Sequence, residues 1–405
     1  MKKKDTVFYK LNEYLDVSKK TVWVGSRPLI QVASLNLEES TNCRAHAQNH
    51  GMFDLVLLIE KNIFQAYPNS WRLIVDESIR LLGKDGVLIV RTKDSIDGTL
   101  YELKSILGRN PNLNVSMIDQ IQSNGETITI YSILRKYFDR YSSNSWTIGI
   151  LSNGMKNENV INLANKCLLL SKSFEIEIIV AGPKIDELAS IDKIKFIYEN
   201  SDDLPRISDK KSEIVRNSTK SNIMLVHDRY DIADDFFHSF EDYGYDFDFI
   251  TTRQKYPSGS EFPAYLRFEE NKKTWQSPIK VENFDMVTPS SFLNGGLIIL
   301  KQHLAIKCNF NPLLLHNEAE DVELSMSLCS LGIFPRINTI SIAKTIGINE
   351  TYTSTFKSSK ERKIKANHFV KRLSLKLWFK LPELLRKKVR GSAFYEAVKS
   401  FYHHR

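Results

Sequence analysis

The chain contains few cysteines and no long apolar segment. Its 405 residues include four widely separated cysteines, whose spacing fits neither a zinc site nor a disulfide framework. No run of about 18 apolar residues occurs, which excludes a membrane-spanning helix. The N-terminus, MKKKDTVFYKLNEYLD, lacks the apolar core of a signal peptide. We therefore expect a cytoplasmic protein with reduced thiols at the four positions Cys43, Cys167, Cys308 and Cys329.

Acidic residues are scarce in one segment only. The net charge is +8, but Lys357 to Arg405 holds 15 Lys and Arg against 3 Glu, so this segment carries +12 and the remainder −4. The body therefore lacks the basic excess of a nucleic-acid groove, and we expect no nucleic-acid partner. Apolar residues at spacings of 3 or 4 predict a basic amphipathic helical tail over residues 351–405. Such a tail fits an anionic membrane surface, on the inner face of the membrane, or a helical cap packed on the body.

The first 140 residues show the alternation of an α/β domain. A helix with apolar spacing follows two apolar strands, and the turn Lys84-Asp85-Gly86 precedes a third strand. A hairpin closes the sheet at its edge. This order predicts a doubly wound sheet. The predicted elements are strands at Thr21–Gly25, Phe53–Ile59 and Val87–Val90, the helix Trp71–Leu82, and the hairpin Gly125–Leu134.

Two stretches of this segment, FDLVLLIEKNIF and RLLGKDGVLIVR, resemble the second half of class I S-adenosylmethionine methyltransferases. That family carries closely spaced glycines in its first loop, so that backbone can approach the cofactor. Here the loop reads VGSRPLI, with Gly25 as its single glycine. We therefore expect residues 1–140 to be a degenerate methyltransferase-like Rossmann domain that does not bind S-adenosylmethionine and serves packing or partner binding. A working methyltransferase is the alternative.

A polar stretch, KYFDRYSSNS, precedes a second series of alternating strands and helices. We place a domain boundary there and a second doubly wound α/β domain at residues 145–350. The fold class expected for the whole chain is therefore α/β, with two such domains and a helical tail. The predicted elements are strands at Trp146–Leu151, Glu175–Val180, Ile194–Tyr198 and Ile223–Val226, and helices at Val160–Leu170 and Lys210–Thr219.

The stretch SNIMLVHDRYD combines a buried strand with an abrupt polar end at His227, Asp228 and Arg229. Ligands of open α/β sheets bind beyond the carboxyl ends of such strands. Further on, FLNGGLIILK contains a turn at Asn294-Gly295-Gly296, and Glu320-Asp321 opens a predicted helix. Each feature also has a simpler interpretation, because NGG is a common turn and acidic residues favour a helix N-terminus.

Taken in order, WTIGILSNG, EIEIIVAGP, ISDKKSEIVRNSTKSNIMLVHDRYD, FLNGGLIILK and HNEAEDVELSMSLCSLGI resemble the GT-A glycosyltransferases of the inverting family-2 type. The resemblance implies transfer of a sugar from a nucleotide-sugar donor to a hydroxyl of a surface glycan, such as capsule or O-antigen, free or lipid-linked. It implies that Asp321 is the general base and Glu320 a second catalytic residue. The donor-site residues it implies are Ser152, Asn153, Asp209, Lys210, His227, Asp228, Arg229, Asn294, Gly295 and Gly296.

Metal dependence stays open at this point. The family holds Mg²⁺ or Mn²⁺ with an Asp-x-Asp motif, whereas here Asp228 is the only secure acid and Arg229 stands where a carboxylate is expected. Lys344 occupies the position of a further histidine ligand. Either Asp228 binds a metal ion, or cations replace it, since guanidinium binds phosphate directly.

Two other functions compete with a plain transferase. A bifunctional enzyme would also methylate the glycan and would need a cofactor site in the first domain. A non-catalytic scaffold of a glycan assembly complex would need neither reaction. The carboxylate of Asp321 distinguishes catalysis from scaffolding, because only catalysis requires a base.

Overall fold

The computed structural model describes residues 14–15, 19–197, 204–268, 278–308 and 310–350. The predicted tail, 351–405, lies outside the described residues. Both predicted α/β segments belong to one compact unit, Met1–Thr355. In the described part of the chain, no helix is long and apolar enough to cross a membrane.

Six strands form the first sheet, in the spatial order β2-β1-β3-β4-β6-β5. The first four strands of the chain are parallel, and β6 runs antiparallel to both of its neighbours. The strands are β1 (Thr21–Val24), β2 (Ala33–Leu35), β3 (Phe53–Leu58), β4 (Leu82–Thr92), β5 (Leu113–Ser123) and β6 (Glu126–Arg135). The helices of this segment are Ile63–Ala66, Trp71–Leu81 and Leu100–Arg109, with 3₁₀ turns at Leu37–Glu39, Thr41–Cys43 and Ala47–Asn49.

The sequence predicted the helix Trp71–Leu81 and the β5–β6 hairpin correctly. The hairpin turns at Asn124-Gly125, both with positive φ, which matches the right-handed twist of the strands. The predicted turn at Lys84-Asp85-Gly86 is wrong. These residues lie inside β4, because β6 pairs with that strand from Asp85 to Thr92 and satisfies its backbone groups.

The first sheet has a core on each face. On one face, Leu73 and Ile74 pack with Leu103 and Leu107, so both longer helices contribute to the same cluster. On the other face, the cluster around Trp23 packs against loop residues and segments near the described N-terminus. The described helices therefore cover one face of this sheet.

Nine strands form the second sheet, with β11-β18-β12-β17-β10-β7-β8-β9 in order and β13 paired to β12. Strands β7 to β10 are mutually parallel, and β17 pairs antiparallel with β10. The strands are β7 (Trp146–Leu151), β8 (Ile176–Ala181), β9 (Ile194–Ile197), β10 (Asn222–His227), β11 (Tyr230–Ile232), β12 (Phe249–Lys255), β13 (Glu261–Phe262), β17 (Leu297–Lys301) and β18 (Arg336–Thr345). A small third sheet joins β14 (Tyr265–Arg267), β15 (Ile279–Lys280) and β16 (Ser291–Leu293).

Helices cover both faces of the second sheet, so the α/β class is confirmed. The helix Asn157–Leu170 packs on one face, while Ile207–Asn217 and Glu320–Ser330 contribute to the core of the other. Gly149 of β7 permits this close packing, since a Cβ there would lie 2.4 Å from a methyl carbon of Ile214. The shorter helices are Asp186–Ala189, Ser239–Tyr243 and Gln302–Ala305, with a 3₁₀ turn at Phe138–Arg140.

Buried ion pairs join the two sheets. Arg80, on the helix Trp71–Leu81, donates to Asp246 at 2.9 Å and to Asp248 at 2.9 Å, both just before β12. Arg135, at the end of β6, reaches both carboxylate oxygens of Asp246 at 2.6 Å. All four side chains are buried, so the attraction acts with little screening by water.

Arg336 makes a second connection. It is fully buried at the start of β18 and donates to Asp76 at 2.6 Å and to Glu77 at 3.2 Å. Its guanidinium also donates to the backbone oxygen of Leu73 at 3.0 Å. Strand β18 of the second sheet therefore begins in direct contact with the helix Trp71–Leu81.

Removing Arg80 should destabilise the whole unit. In Arg80→Met, the buried carboxylates of Asp246 and Asp248 lose a cation, and we expect the free energy of unfolding to fall by about 3–5 kcal/mol. Urea denaturation at neutral pH measures this. The control is Lys84→Met, which breaks an exposed pair with Asp139. It should lower the free energy of unfolding by about 1 kcal/mol or less. Equal losses in the two variants would contradict a stabilising role for the network.

Candidate functional site

The candidate site lies where two neighbouring parallel strands end. Leu151 and His227 are paired as the last residues of β7 and β10. Beyond them, Asp228 donates its backbone N–H to the oxygen of Leu151 at 3.1 Å. The Ser152 hydroxyl then donates to the Asp228 carboxylate at 3.3 Å. The polar ends of both strands are thereby brought side by side, as the sequence predicted for ligand-binding residues.

These strand ends form the floor of a cleft of about 750 Å³. Most of the donor-site residues that the sequence predicted line it: Ser152, Asn153, Lys210, His227, Asp228 and Arg229. Among the residues that the structure describes, its charged lining consists of four cations and one carboxylate, namely Lys156, Arg206, Lys210, Arg229 and Asp228. The charge balance of the cleft favours an anionic ligand.

Two lining residues are held by the strand ends. Lys210 donates from Nζ to the backbone oxygen of Ser152 at 2.6 Å, and burial lowers the pKa of Lys210. Burial raises the pKa of the Asp228 carboxyl, against the opposing effect of the hydrogen bond from Ser152. Asn153 accepts from the backbone N–H of Met155 at 3.0 Å, which shapes the turn after β7.

Two histidines face the cleft. Their ring centroids are 5.7 Å apart, His227 on β10 and His316 on the loop before the helix Glu320–Ser330. Burial lowers the pKa of both, and the Arg229 guanidinium lowers each further. The Nε2 atom of His227 is buried and has no hydrogen-bond partner among the described residues. It is therefore placed to bond a ligand.

His316 is a cleft residue that sequence reasoning missed. It lies four residues before Glu320, and its backbone N–H donates to Pro205 at 2.9 Å. This bond brings the loop back to the cleft wall. The available signal was a histidine close to an acidic pair, a pattern too short to be specific.

Asp321 stands at the start of the helix Glu320–Ser330. One carboxylate oxygen accepts from the backbone N–H of Gly295 at 2.6 Å, and the other from that of Val322 at 2.9 Å. Burial and the neighbouring Glu320 carboxylate raise the pKa of Asp321 to about 6. The group can therefore exchange a proton near neutral pH.

The NGG segment links Asp321 to the cleft. Gly295 has no room for a side chain, since a Cβ there would lie 2.7 Å from the Cβ of Asp321. A Cβ on Gly296 would lie 2.7 Å from the Tyr230 hydroxyl, and the oxygen of Gly296 accepts from the N–H of His227 at 3.0 Å. Asn294 accepts from the N–H of Gly296 at 3.1 Å, within the turn itself.

Glu320 has a different environment from Asp321. Its carboxylate accepts from Nζ of the fully buried Lys211 at 3.0 Å. Burial raises the pKa of Glu320, but the charge and hydrogen bond of Lys211, a backbone hydrogen bond and His316 together lower it, so the net pKa is below the ordinary value. The two adjacent acids therefore have opposite pKa shifts, and Glu320 stays ionised while Asp321 titrates.

Seven residues from the sequence analysis are not among the described residues that line this cleft: Asp209, Asn294, Gly295, Gly296, Glu320, Asp321 and Lys344. Asp209 pairs with Arg206 at 3.9 Å, so it affects the cleft only through that arginine. Lys344 lines a separate cleft of about 450 Å³, together with Asp231 and Lys166.

The residues around Asp228 do not fit a divalent metal ion. Within the described residues, no three His, Cys, Asp or Glu side chains are grouped to hold a metal. The charged neighbours of Asp228 in the cleft are cations, including Lys210 and Arg229. Hard cations such as Mg²⁺ need several oxygen ligands, and this lining supplies one carboxylate.

The loop after β1, which contains Gly25, holds a carboxylate of the protein itself. At the ends of β1 and β3, the Glu60 carboxylate accepts from the Trp23 indole at 3.1 Å and from the backbone N–H of Arg27 at 2.8 Å. A Cβ on Gly25 would lie 2.2 Å from the same carboxylate. A side chain of the protein therefore occupies the loop where a dinucleotide or nucleoside would approach the backbone.

Comparison with known proteins identifies no family by sequence. No protein-family model matches the chain, and no curated protein matches it. Among solved structures, similarity is found to GalNAc-T7 with UDP, GalNAc and Mn²⁺ (10% identity, TM-score 0.37, 64% of this chain and 54% of that chain). S. aureus TarS 1-349 aligns at 12% identity and TM-score 0.33 over 64% and 72%, respectively. The inositol-1-phosphate CTP transferase from T. maritima aligns at 9% identity and TM-score 0.35 over 54% and 94%. The chain thus spans about half the length of the first of these structures.

The Lys211–Glu320 pair should stabilise the site. Lys211→Met leaves the Glu320 carboxylate buried without its cation, and we expect unfolding free energy to fall by about 3–5 kcal/mol. Adding Glu320→Gln should recover part of that loss, because a neutral amide needs no counterion. Urea denaturation of the single and double variants measures the coupling.

Arg216→Met is the matched control, since Arg216 lies on the same helix and pairs with Glu213 at the surface. Arg216→Met should lower the free energy of unfolding by about 1 kcal/mol or less. A Lys211→Met variant as stable as Arg216→Met would show that the buried pair contributes nothing.

Proposed function

We propose that the chain is a nucleotide-sugar-dependent glycosyltransferase. The observation that carries this proposal is the cleft at the carboxyl ends of β7 and β10, whose described lining contains four cations and one carboxylate. A sugar nucleotide carries phosphates, and its departing phosphate group gains negative charge during transfer. Fixed cations in a partly dry cleft stabilise that charge most effectively.

In this proposal, the protein's own cations replace a divalent metal ion. Arg229 binds phosphate oxygens through its guanidinium fork, and Lys210 adds a second positive charge beside Ser152. His227 offers its unpartnered Nε2 to the donor. The single carboxylate, Asp228, orients Ser152 at the strand end.

Asp321 acts as the general base. It accepts the proton of the acceptor hydroxyl as that oxygen attacks the anomeric carbon of the donor, and the bond to the phosphate breaks on the opposite side. Attack from that side inverts the anomeric configuration. The Gly295 N–H holds the carboxylate in place, and Glu320, ionised beside Lys211, keeps the proton affinity of Asp321 high.

The acceptor in this proposal is a hydroxyl of a surface glycan, free or lipid-linked. The basic segment 351–405 would bring the enzyme to an anionic membrane surface where such acceptors are assembled. The first domain does not methylate the product, since Glu60 fills the loop that a cofactor would need.

Nucleotide sugars should stabilise the folded protein. A ligand at about 100 times its Kd raises the free energy of unfolding by about 2.7 kcal/mol, and a thermal-shift assay detects this increase. We expect a rise in the unfolding midpoint with one class among UDP-, GDP-, CMP- and dTDP-sugars, and the same rise in EDTA. Arg229→Met should abolish the shift, whereas Arg216→Met should retain it. Loss of the shift in EDTA, with recovery on adding Mn²⁺, would overturn the metal-free part of the proposal.

Asp321→Asn should lower the transfer rate by about 10²- to 10⁴-fold, the usual contribution of a general base. Glu323→Gln, an exposed acid on the same helix, should leave the rate unchanged. Because the base works as a carboxylate, the wild-type rate should rise with pH and level off above about 6. Initial rates of sugar transfer measure both effects, over a range of about pH 4.5–8 that lies on both sides of the pKa of Asp321. An unchanged rate in Asp321→Asn would show that Asp321 is not the base, whereas no transfer by the wild-type protein would favour the scaffold function.

A further inference from the structure

The helix that carries Asp321 ends against the first domain. Its last turn closes with Gly332, whose N–H donates to Cys329 at 3.0 Å, and Ile333, whose N–H donates to Leu328 at 3.0 Å. These two bonds form a Schellman motif, which requires positive φ at Gly332, here +75°. Gly332 therefore fixes where the helix stops.

The same glycine touches a helix of the first domain. A Cβ on Gly332 would lie 2.4 Å from the backbone oxygen of Ile106, in the helix Leu100–Arg109. Asn110, directly after that helix, donates from its amide to the oxygen of Gly332 at 3.5 Å. No flexible side chain separates the two segments at this point, so one cannot move without the other.

Neighbouring residues strengthen this attachment. Cys329 and Phe334, on either side of Gly332, belong to the core of the first domain. Two residues later the chain reaches the buried Arg336, and the N–H of Ile337 donates to the Asn42 side chain at 3.0 Å. The carboxyl end of the helix is thus embedded in the first domain.

The opposite end of the helix carries the reactive carboxylate. The helix spans 11 residues, Glu320–Ser330, which is about 16 Å of rigid rod. It packs on β16, where Ser325 accepts from the N–H of Leu293 at 3.2 Å, one residue before the NGG turn. A displacement at Gly332 is transmitted along this rod to the bond between Asp321 and Gly295.

We propose that Gly332 is a positioning residue, through which the first domain sets the position of Asp321 relative to the donor cleft. This inference rests on the proposed function, since it assigns the first domain a part in sugar transfer. The domain with the methyltransferase-like topology then serves as the support of the acid-bearing helix. The cleft itself, at the ends of β7 and β10, does not depend on this contact.

The test compares two glycine variants with equal backbone strain. Gly332→Ala places a methyl group against the oxygen of Ile106. Gly125→Ala, in the β5–β6 turn, also has positive φ, at +74°, but a Cβ there meets nothing within 4 Å. Gly125→Ala shows the cost of positive φ in general, and Asn110→Ala, which leaves the backbone of Gly332 unchanged, separates the contact with the first domain from strain at the end of the helix.

Hydrogen exchange gives a readout that needs no substrate. In Gly332→Ala, amides of residues 320–330 should exchange faster than in the wild type, while those of β7 and β10 stay unchanged. Gly125→Ala should leave the exchange of all three segments unchanged. Equal exchange of residues 320–330 in the two variants would overturn the positioning role, whatever the protein catalyses.

Kinetics give the second readout. In Gly332→Ala we expect kcat to fall about tenfold to a hundredfold, the effect of a displacement of about 1 Å, with KM for the donor nearly unchanged. The acid limb of the pH profile should move to lower pH, because a displaced Asp321 is less buried. A rise in donor KM with unchanged kcat would contradict the proposal.

Asn110→Ala covers the case in which Gly332→Ala does not fold. It removes the bond to Gly332 without adding volume, and it should produce smaller changes of the same kind. A wild-type protein that transfers no sugar would refute the proposed function, and the exchange experiment would still decide the positioning role.

Discussion

A buried network of opposite charges at the junction of the two sheets is the constraint on which the rest of the structure depends. Its members are Arg44, Arg80, Arg135 and Arg336 with Asp76, Glu77, Asp246 and Asp248. Each of these groups would be costly to bury alone, and each is tolerated because its partners neutralise it. The partners come from both sheets, so separating the sheets would expose or orphan charges on both sides. The first sheet is therefore fixed to the second by buried charge pairs, and both belong to one compact unit.

This junction determines how the site is assembled. The acidic residues Asp246 and Asp248 precede β12, and Arg336 begins β18, so the antiparallel half of the second sheet is fixed to the helix Trp71–Leu81. The parallel half, β7 to β10, supplies the cation-lined cleft. Asp321 lies where these halves meet, on a helix that ends in the first domain and starts beside Gly295. In the proposed reaction, the cleft supplies the cations that bind phosphate and the helix Glu320–Ser330 supplies the base. The first domain holds that helix in position.

The adjacent acids show how one helix turn can hold two electrostatic roles. Glu320 accepts from Lys211 and has a lowered pKa, whereas burial and Glu320 raise the pKa of Asp321 to about 6. Charge repulsion between neighbours keeps one ionised and lets the other take up a proton. The described lining of the cleft likewise contains four cations and one carboxylate, that of Asp228. In the proposed function, these fixed cations bind the phosphates of the donor in place of a metal ion.

The sequence by itself determined the α/β class, the parallel strands β7 and β10 and the helix that begins at Glu320, because these follow from local periodicity. It also determined the polar residues at the strand ends, because ligands bind at the carboxyl ends of strands in such sheets. It misread Lys84–Gly86 as a turn, since only pairing with β6 makes that segment a strand. It could not separate Asp209 and Lys344 from the cleft or find His316 in it. Tertiary structure alone decided those placements, the pairing of Lys211 with Glu320 and the contact of Gly332 with Ile106. The Lys211–Glu320 pair and the Gly332–Ile106 contact join residues far apart in the chain, and their energies depend on burial and distance, which no local pattern encodes.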